Sequence, residues 1–233
     1  MGKPGFKWLL IFSAFINLIM GFINVLIQPL IISLSSEHTL GIVLSITGIG
    51  MLLGGILVSA WGGPSRRIHG VFISCIIAGI LVAFSGFTTS IILITASFSL
   101  FLFLIPIVNS SSQAIWQSKV DPTIQGRVFS IRRMLGTSLY PLSIIMAGPL
   151  VDKVFNPLMQ PHGLLAESVG QIIGVGEGRG IGLLFIVAGF ILVIVTVAIY
   201  LQPKVRNIEK DIPDAIEEKE EQRDIHETVV ELV

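Results

Sequence analysis

Charge-free apolar runs divide the chain into six segments, each long enough to cross a lipid bilayer. An α-helix rises about 1.5 Å per residue, so the hydrocarbon layer needs roughly 20 apolar residues. A turn-forming run, SGFTTS at 85–90, separates the third and fourth segments. The pattern predicts an all-α membrane protein, with a transmembrane domain at 1–203. Its predicted spans are 8–34, 40–62, 68–86, 90–115, 128–151 and 180–201.

Two of these spans carry a stripe of polar side chains. Helical residues seven or eleven positions apart point within roughly 20° of each other. This spacing aligns Asn17, Asn24 and Gln28 in span 1, and Gly21 lies about 40° away. The polar residues on one side of span 4 include Thr95, Ser99, Asn109 and Gln113. One membrane amide often only bridges neighbouring helices, but two stripes on two helices favour a water-accessible substrate cavity.

The other four spans are of two further types. Span 2 contains Gly50 and Gly54 at the GxxxG spacing that permits close helix approach. Span 5 combines small residues with Pro141 and Pro149, which predicts packing with local bends. Spans 3 and 6 are almost entirely apolar, and we expect them to face lipid over most of their surface. Because the three types recur in the same order, the sequence predicts two three-helix repeats.

Charge is distributed unequally along the chain and between the two sides of the membrane. Only 13% of the residues are charged, and ten of the 15 acidic residues follow Gln202. Six spans place 13 of the 15 Lys and Arg residues on the side of the termini, with Lys153 and Arg179 opposite. The positive-inside rule then predicts a multi-pass protein of the cell (inner) membrane with both termini cytoplasmic. Residues 204–233 are expected to form a charged, solvated cytoplasmic tail.

The sequence offers little support for catalysis. A covalent mechanism needs a nucleophile beside a base, and the single cysteine, Cys75, has no histidine partner at membrane depth. The four histidines are scattered without metal-ligand spacing. An intramembrane enzyme is therefore disfavoured, and we expect neither a metal nor a cofactor.

Several segments resemble the C-terminal half of a major facilitator superfamily transporter. They are ITGIGMLLGGILVSAWGGPSRRIHG (46–70), DPTIQGRVFSIRRML (121–135), AGPLVDKVFNPLM (147–159) and GRGIGLLF (178–185). The chain is similar in particular to the drug- and siderophore-exporter branch, which includes macrolide efflux proteins. The resemblance implies half of a secondary transporter that exports small hydrophobic or amphipathic molecules by alternating access. It also implies a central cavity lined by the first and fourth helices of each half, here spans 1 and 4.

The resemblance further implies two cytoplasmic gating loops. The loop after span 2 resembles a Gly-x-x-x-Asp-Arg-x-Gly-Arg-Arg motif, but Gly-Pro-Ser stands where the motif has its aspartate. QGR at 125–127 resembles the loop after the tenth helix of the exporters, and its gating role is a hypothesis. The candidate gating residues are Gly62, Gly63, Arg66, Arg67, Gly126 and Arg127.

Six spans are half the number that such a transporter needs. We therefore expect a second six-helix half as partner: a missing N-terminal half, a separate chain or a second copy. A non-transporting membrane scaffold is the alternative function. The sequence does not identify the substrate or the coupling ion.

Overall fold

The computed structural model describes residues 4–211 and 214–215. Within these residues, six helical segments are long and apolar enough to cross a membrane, as the sequence predicts, and no strand occurs. The predicted tail beyond Ala215 lies outside the described residues. The helices are α1 (Pro4–Leu34), α2 (Glu37–Trp61), α3 (Arg67–Phe87), α4 (Ile91–Lys119), α5 (Gln125–Thr137), α6 (Tyr140–Leu150), α7 (Asn156–Met159), α8 (Val169–Ile173), α9 (Arg179–Tyr200), α10 (Pro203–Arg206) and α11 (Ile208–Asp211).

The fifth candidate span, Gln125–Met159, is broken rather than continuous. Helix α5 ends at Thr137, and α6 begins at Tyr140 with Pro141 in its first turn. Proline lacks an N–H group, so Pro141 cannot donate a helical hydrogen bond to the carbonyl oxygen of Thr137, the last residue of α5. A π-helical turn, Val151–Phe155, joins α6 to α7. The bends predicted for span 5 are thus the break between α5 and α6 and the π-helical turn after α6.

Helices α2 and α4 contact each other through backbone atoms. The buried residues of α2 are Val43, Thr47, Gly50 and Gly54, which share one face. A Cβ on Gly50 would overlap the carbonyl oxygen of Ser99, and one on Gly54 would overlap that of Phe103. The predicted GxxxG pair therefore brings α2 against α4, which runs in the same direction.

The expectation that spans 3 and 6 face lipid over most of their surface is wrong. Just over half of the most apolar stretch of α3 and of α9 is buried, 56% in each, against 22% for α2 and for the fifth span. The two helices are antiparallel neighbours, because Gly79 lies against Gly189 and Gly86 lies against Gly182. Absence of side chains at these four positions lets the two backbones approach closely.

The loops fall at two ends of the bundle. One end, here called the basic end, includes the α2–α3 loop with Arg66 and the end of α4 at Lys119. The opposite end includes Thr88 and residues 160–178. There the buried Arg179 side chain donates from Nη1 to the Ile173 carbonyl oxygen (2.9 Å) and from Nη2 to that of Thr88 (3.4 Å). Arg179 thus connects the start of α9 to the end of α8 and to the turn between α3 and α4.

The start of the predicted tail differs from a solvated extension. Val205 and Ile208 are both 0% exposed and belong to an apolar cluster with Phe6, Ile68 and Trp116. Two short helices, α10 and α11, place these side chains against the basic end of the bundle. The charged composition of residues 204–233 predicts a solvated tail and gives no weight to Val205 and Ile208, which anchor the start of the segment.

Candidate functional site

A groove of about 210 Å³ opens between α1, α3, α4, α6 and α9. Its polar lining residues are Asn17 and Asn24 from α1, Asn109 from α4 and Tyr140 from α6. The remaining wall is apolar and includes Met20. The groove therefore includes three of the predicted residues, Asn17 and Asn24 of the first helix and Asn109 of the fourth.

The groove amides on α1 are held by their own helix. Asn17 donates from Nδ2 to the Ser13 carbonyl oxygen, and Asn24 donates to that of Met20, each at 2.9 Å. Each amide keeps a second N–H group and its carbonyl oxygen for another partner. Asn24 and Asn109 are exposed in this chain, and Asn17 is half-buried. The groove thus offers both donors and acceptors between apolar walls.

Five of the eight predicted cavity residues do not line this groove. Gly21 is buried against α6, where a Cβ would overlap the Ser143 hydroxyl. Thr95 is buried and donates to the Ile91 carbonyl oxygen, whereas Ser99 donates to that of Ile46 on α2. Gln28 is exposed one helical turn beyond Asn24. Gly21 and Ser99 therefore lie at helix–helix contacts, and the Thr95 hydroxyl bonds within its own helix.

The fifth of these residues, Gln113, is hydrogen-bonded to Arg132 of α5. Arg132 donates from Nη1 to Gln113 Oε1 (2.9 Å) and from Nη2 to Ser112 Oγ (2.8 Å). Its guanidinium also lies over the Trp116 ring, 5.1 Å from the ring centroid. One signal could have revealed this inward position, because Arg132 lies one turn before Gly136, the buried residue of α5.

A second cavity of about 80 Å³ adjoins the groove towards the basic end. Asn17 and Asn109 line both cavities, and Arg132 and Ser112 line the smaller one. The polar lining along α1 and α4 therefore continues to the guanidinium group of Arg132 on α5. Sequence reasoning missed both Arg132 and Tyr140 as parts of this lining.

The first candidate gating loop makes a tight turn at the basic end. Gly62 and Gly63 have φ values of 78° and 87°, which glycine adopts without strain, and the Gly62 N–H bonds to the Val58 carbonyl oxygen at 2.9 Å. Arg66 precedes α3 without a side-chain capping bond. The backbone N–H groups of Arg67 and Ile68 instead donate to Glu209 Oε1, at 3.0 and 3.4 Å.

The second candidate gating loop begins α5 at the same end. Gln125 donates from Nε2 to the backbone carbonyl oxygens of Gln117 and Val120, each at 2.9 Å. Gly126 and Arg127 follow it and are exposed. The glutamine thus fixes the turn between α4 and α5 and leaves Gly126 and Arg127 on the surface.

The described residues contain no group of three or more His, Cys, Asp or Glu side chains placed to hold a metal ion. Cys75 is buried in the groove wall. The groove is lined by amides, a phenol and apolar groups, and this set can bind a molecule by hydrogen bonding and apolar contact.

Comparison with known proteins shows a distant similarity to two macrolide efflux proteins. Macrolide efflux protein A from Streptococcus pyogenes is 26% identical over 107 residues, which are 45% of this chain and 26% of that protein. The same protein from Streptococcus pyogenes serotype M6 matches to the same extent. The aligned region thus spans about a quarter of the length of these relatives. No family model and no solved structure matches.

Proposed function

We propose that the chain is half of a secondary active transporter of the major facilitator type. It exports small hydrophobic or amphipathic molecules by alternating access, and the groove forms one wall of the substrate path. Supporting observations are the six candidate spans and the distant similarity to a macrolide efflux protein. The observation that carries the proposal is the convergence of Asn17, Asn24 and Asn109 from two helices on one groove.

The proposed transporter lies in the cell membrane with its basic end in the cytoplasm, and it works with a second six-helix half. Thirteen of the 15 basic residues belong to the side of the termini, which supports this orientation. The groove is open towards the surface at Asn24 and Asn109, which supports a second wall from a partner. Alternating access needs such a partner, because one half has nothing to rock against.

Replacing groove amides with leucine is expected to reduce transport. Vesicles are prepared with the chain and a co-expressed second half, and efflux of a radiolabelled macrolide and of an uncharged hydrophobic dye is measured. Asn24→Leu with Asn109→Leu is expected to lower the initial rate about tenfold, because each lost hydrogen bond contributes roughly 0.5–1.5 kcal/mol. The matched control is Gln171→Leu, an exposed amide on α8.

Three outcomes of this experiment distinguish the proposals. Unchanged transport in the double variant contradicts the assignment of the groove. If Gln28→Leu lowers the efflux rate as much as the groove variants do, the substrate path includes Gln28 and the whole predicted stripe of α1. If neither probe moves although both halves are present in the membrane, the result favours the non-transporting scaffold.

A further inference from the structure

The segment after the last span turns back across the basic end of the bundle. It comprises residues 203–211 and Asp214 and is called the strap below. Its apolar anchors, Val205 and Ile208, are fully buried among residues from α1, α3 and α4. The Lys204 carbonyl oxygen lies so close to Gly5 that a Cβ there would be 2.7 Å away. The strap is thus packed directly against the start of α1.

Glu209 of the strap caps α3. The first N–H groups of a helix lack intrahelical partners, and the positive end of the helix dipole favours an anion. Arg66 and Arg67 put two positive charges at this position instead. Glu209 Oε1 accepts from the N–H groups of Arg67 and Ile68, so a carboxylate more than 140 residues away in sequence supplies the missing cap.

Lys119 attaches the strap to the end of α4. Its side chain is only 7% exposed, and Nζ lies 3.0 Å from the Glu209 carbonyl oxygen and 2.8 Å from Asp214 Oδ1. The hydrogen bond from Lys119 lowers the pKa of the Asp214 carboxyl group below its usual value. Lys119 therefore binds the strap at two points, and its ammonium group has little access to water.

The strap joins the two helices whose amides line the groove. Helix α1 contributes Asn17 and Asn24, and α4 contributes Asn109. We propose that the strap holds the basic ends of α1 and α4 together, keeps the groove closed at that end, and must be released for the groove to open there. This inference rests on the proposed function only in treating the groove as a substrate path.

The proposal is tested by loosening the strap and measuring the distance between α1 and α4. Spin labels are placed on the full chain at the exposed positions Lys7→Cys and Gln117→Cys, in a Cys75→Ala background and in lipid bilayers. Glu209→Ala is expected to lengthen and broaden the distance distribution. A second pair, Ser35→Cys with Ser90→Cys at the opposite end, is expected to show no change. Lys119→Gln serves as the second variant if Glu209→Ala does not fold.

Release of the strap itself is measured by trypsin cleavage. The cleavage sites after Lys204 and Arg206 lie within the strap. Cleavage that follows local opening reports the population of the open form. Glu209→Ala is expected to accelerate cleavage there about tenfold, because hydrogen bonds to a charged group are lost. Glu209→Gln keeps an acceptor oxygen and should give a smaller increase, and Glu167→Ala in the opposite-end loop should give none.

Two results overturn the proposal. Faster cleavage with an unchanged α1–α4 distance shows that the strap binds the bundle without holding the two helices together. An unchanged cleavage rate in folded Glu209→Ala and Lys119→Gln proteins shows that these contacts do not hold the strap. Neither measurement uses transport, so failure of the proposed function in the efflux assay is distinguishable from failure of this inference.

Discussion

Gly54→Ala is expected to lower the free energy of unfolding by roughly 1–3 kcal/mol, the usual cost of overpacking. A Cβ at Gly54 would overlap the Phe103 carbonyl oxygen and lie 2.9 Å from its carbonyl carbon and 3.0 Å from its Cα. These are backbone atoms, so no side chain can rotate away and α2 must move from α4. The better helix propensity of alanine offsets up to about 1 kcal/mol of this cost. Thermal unfolding in detergent micelles, followed by circular dichroism, measures the change.

The neighbouring glycine provides the matched control for this prediction. Gly55 lies on the same helix, but no atom of another helix lies within 4 Å of a Cβ built there. Gly55→Ala should therefore keep or slightly raise the stability of the chain, since only helix propensity changes. Equal losses for the two variants would contradict the close contact between α2 and α4 at Gly54.

The sequence predicts the six-span pattern because an apolar run of sufficient length has few alternatives in a membrane. It also predicts the close approach at Gly50 and Gly54. It does not identify α4 as the helix that these glycines contact. That assignment depends on Ser99 and Phe103, whose backbone oxygens face the glycines and leave no pattern in the sequence.

The burial of α3 and α9 is harder to predict from composition. Lipid chains are as apolar as leucine, so an apolar helix surface fits protein and lipid equally well. The informative signal is small-residue spacing: Gly79 and Gly86 are seven residues apart, as are Gly182 and Gly189. Seven residues return almost to the same helix face, so each pair predicts a glycine-lined contact.

The candidate groove could be predicted only in part. Helical angle identifies the face that Asn17 and Asn24 share, but it gives neither the neighbouring helix nor the distance to it. Gly21 lies near the same face and packs on Ser143, because α1 meets α6 there. The Glu209 cap joins residues more than 140 positions apart. No local periodicity encodes such a contact, so it appears only in the folded structure.

Arg132→Leu is expected to destabilise the chain by roughly 2–3 kcal/mol, the size of about one or two charged hydrogen bonds. The substitution removes the bonds to Gln113 Oε1 and Ser112 Oγ and the cation–π contact with Trp116. It also leaves polar groups of α4 without their donor beside the smaller cavity. Arg132→Lys should recover little, because one ammonium group cannot reproduce the planar fork that reaches both oxygens. Chemical unfolding in micelles measures the loss.

The adjacent arginine separates this effect from a general effect of positive charge. Arg133 is exposed, since one residue further along the helix turns its side chain about 100° away from the bundle. Arg133→Leu removes the same charge and should change the stability by less than about 0.5 kcal/mol. If the two variants lost equal stability, Arg132 would act through its charge rather than through its contacts with α4. A loss of stability in Arg132→Leu alone supports the contact by which the Arg132 guanidinium joins α5 to α4, beside Asn17 and Asn109.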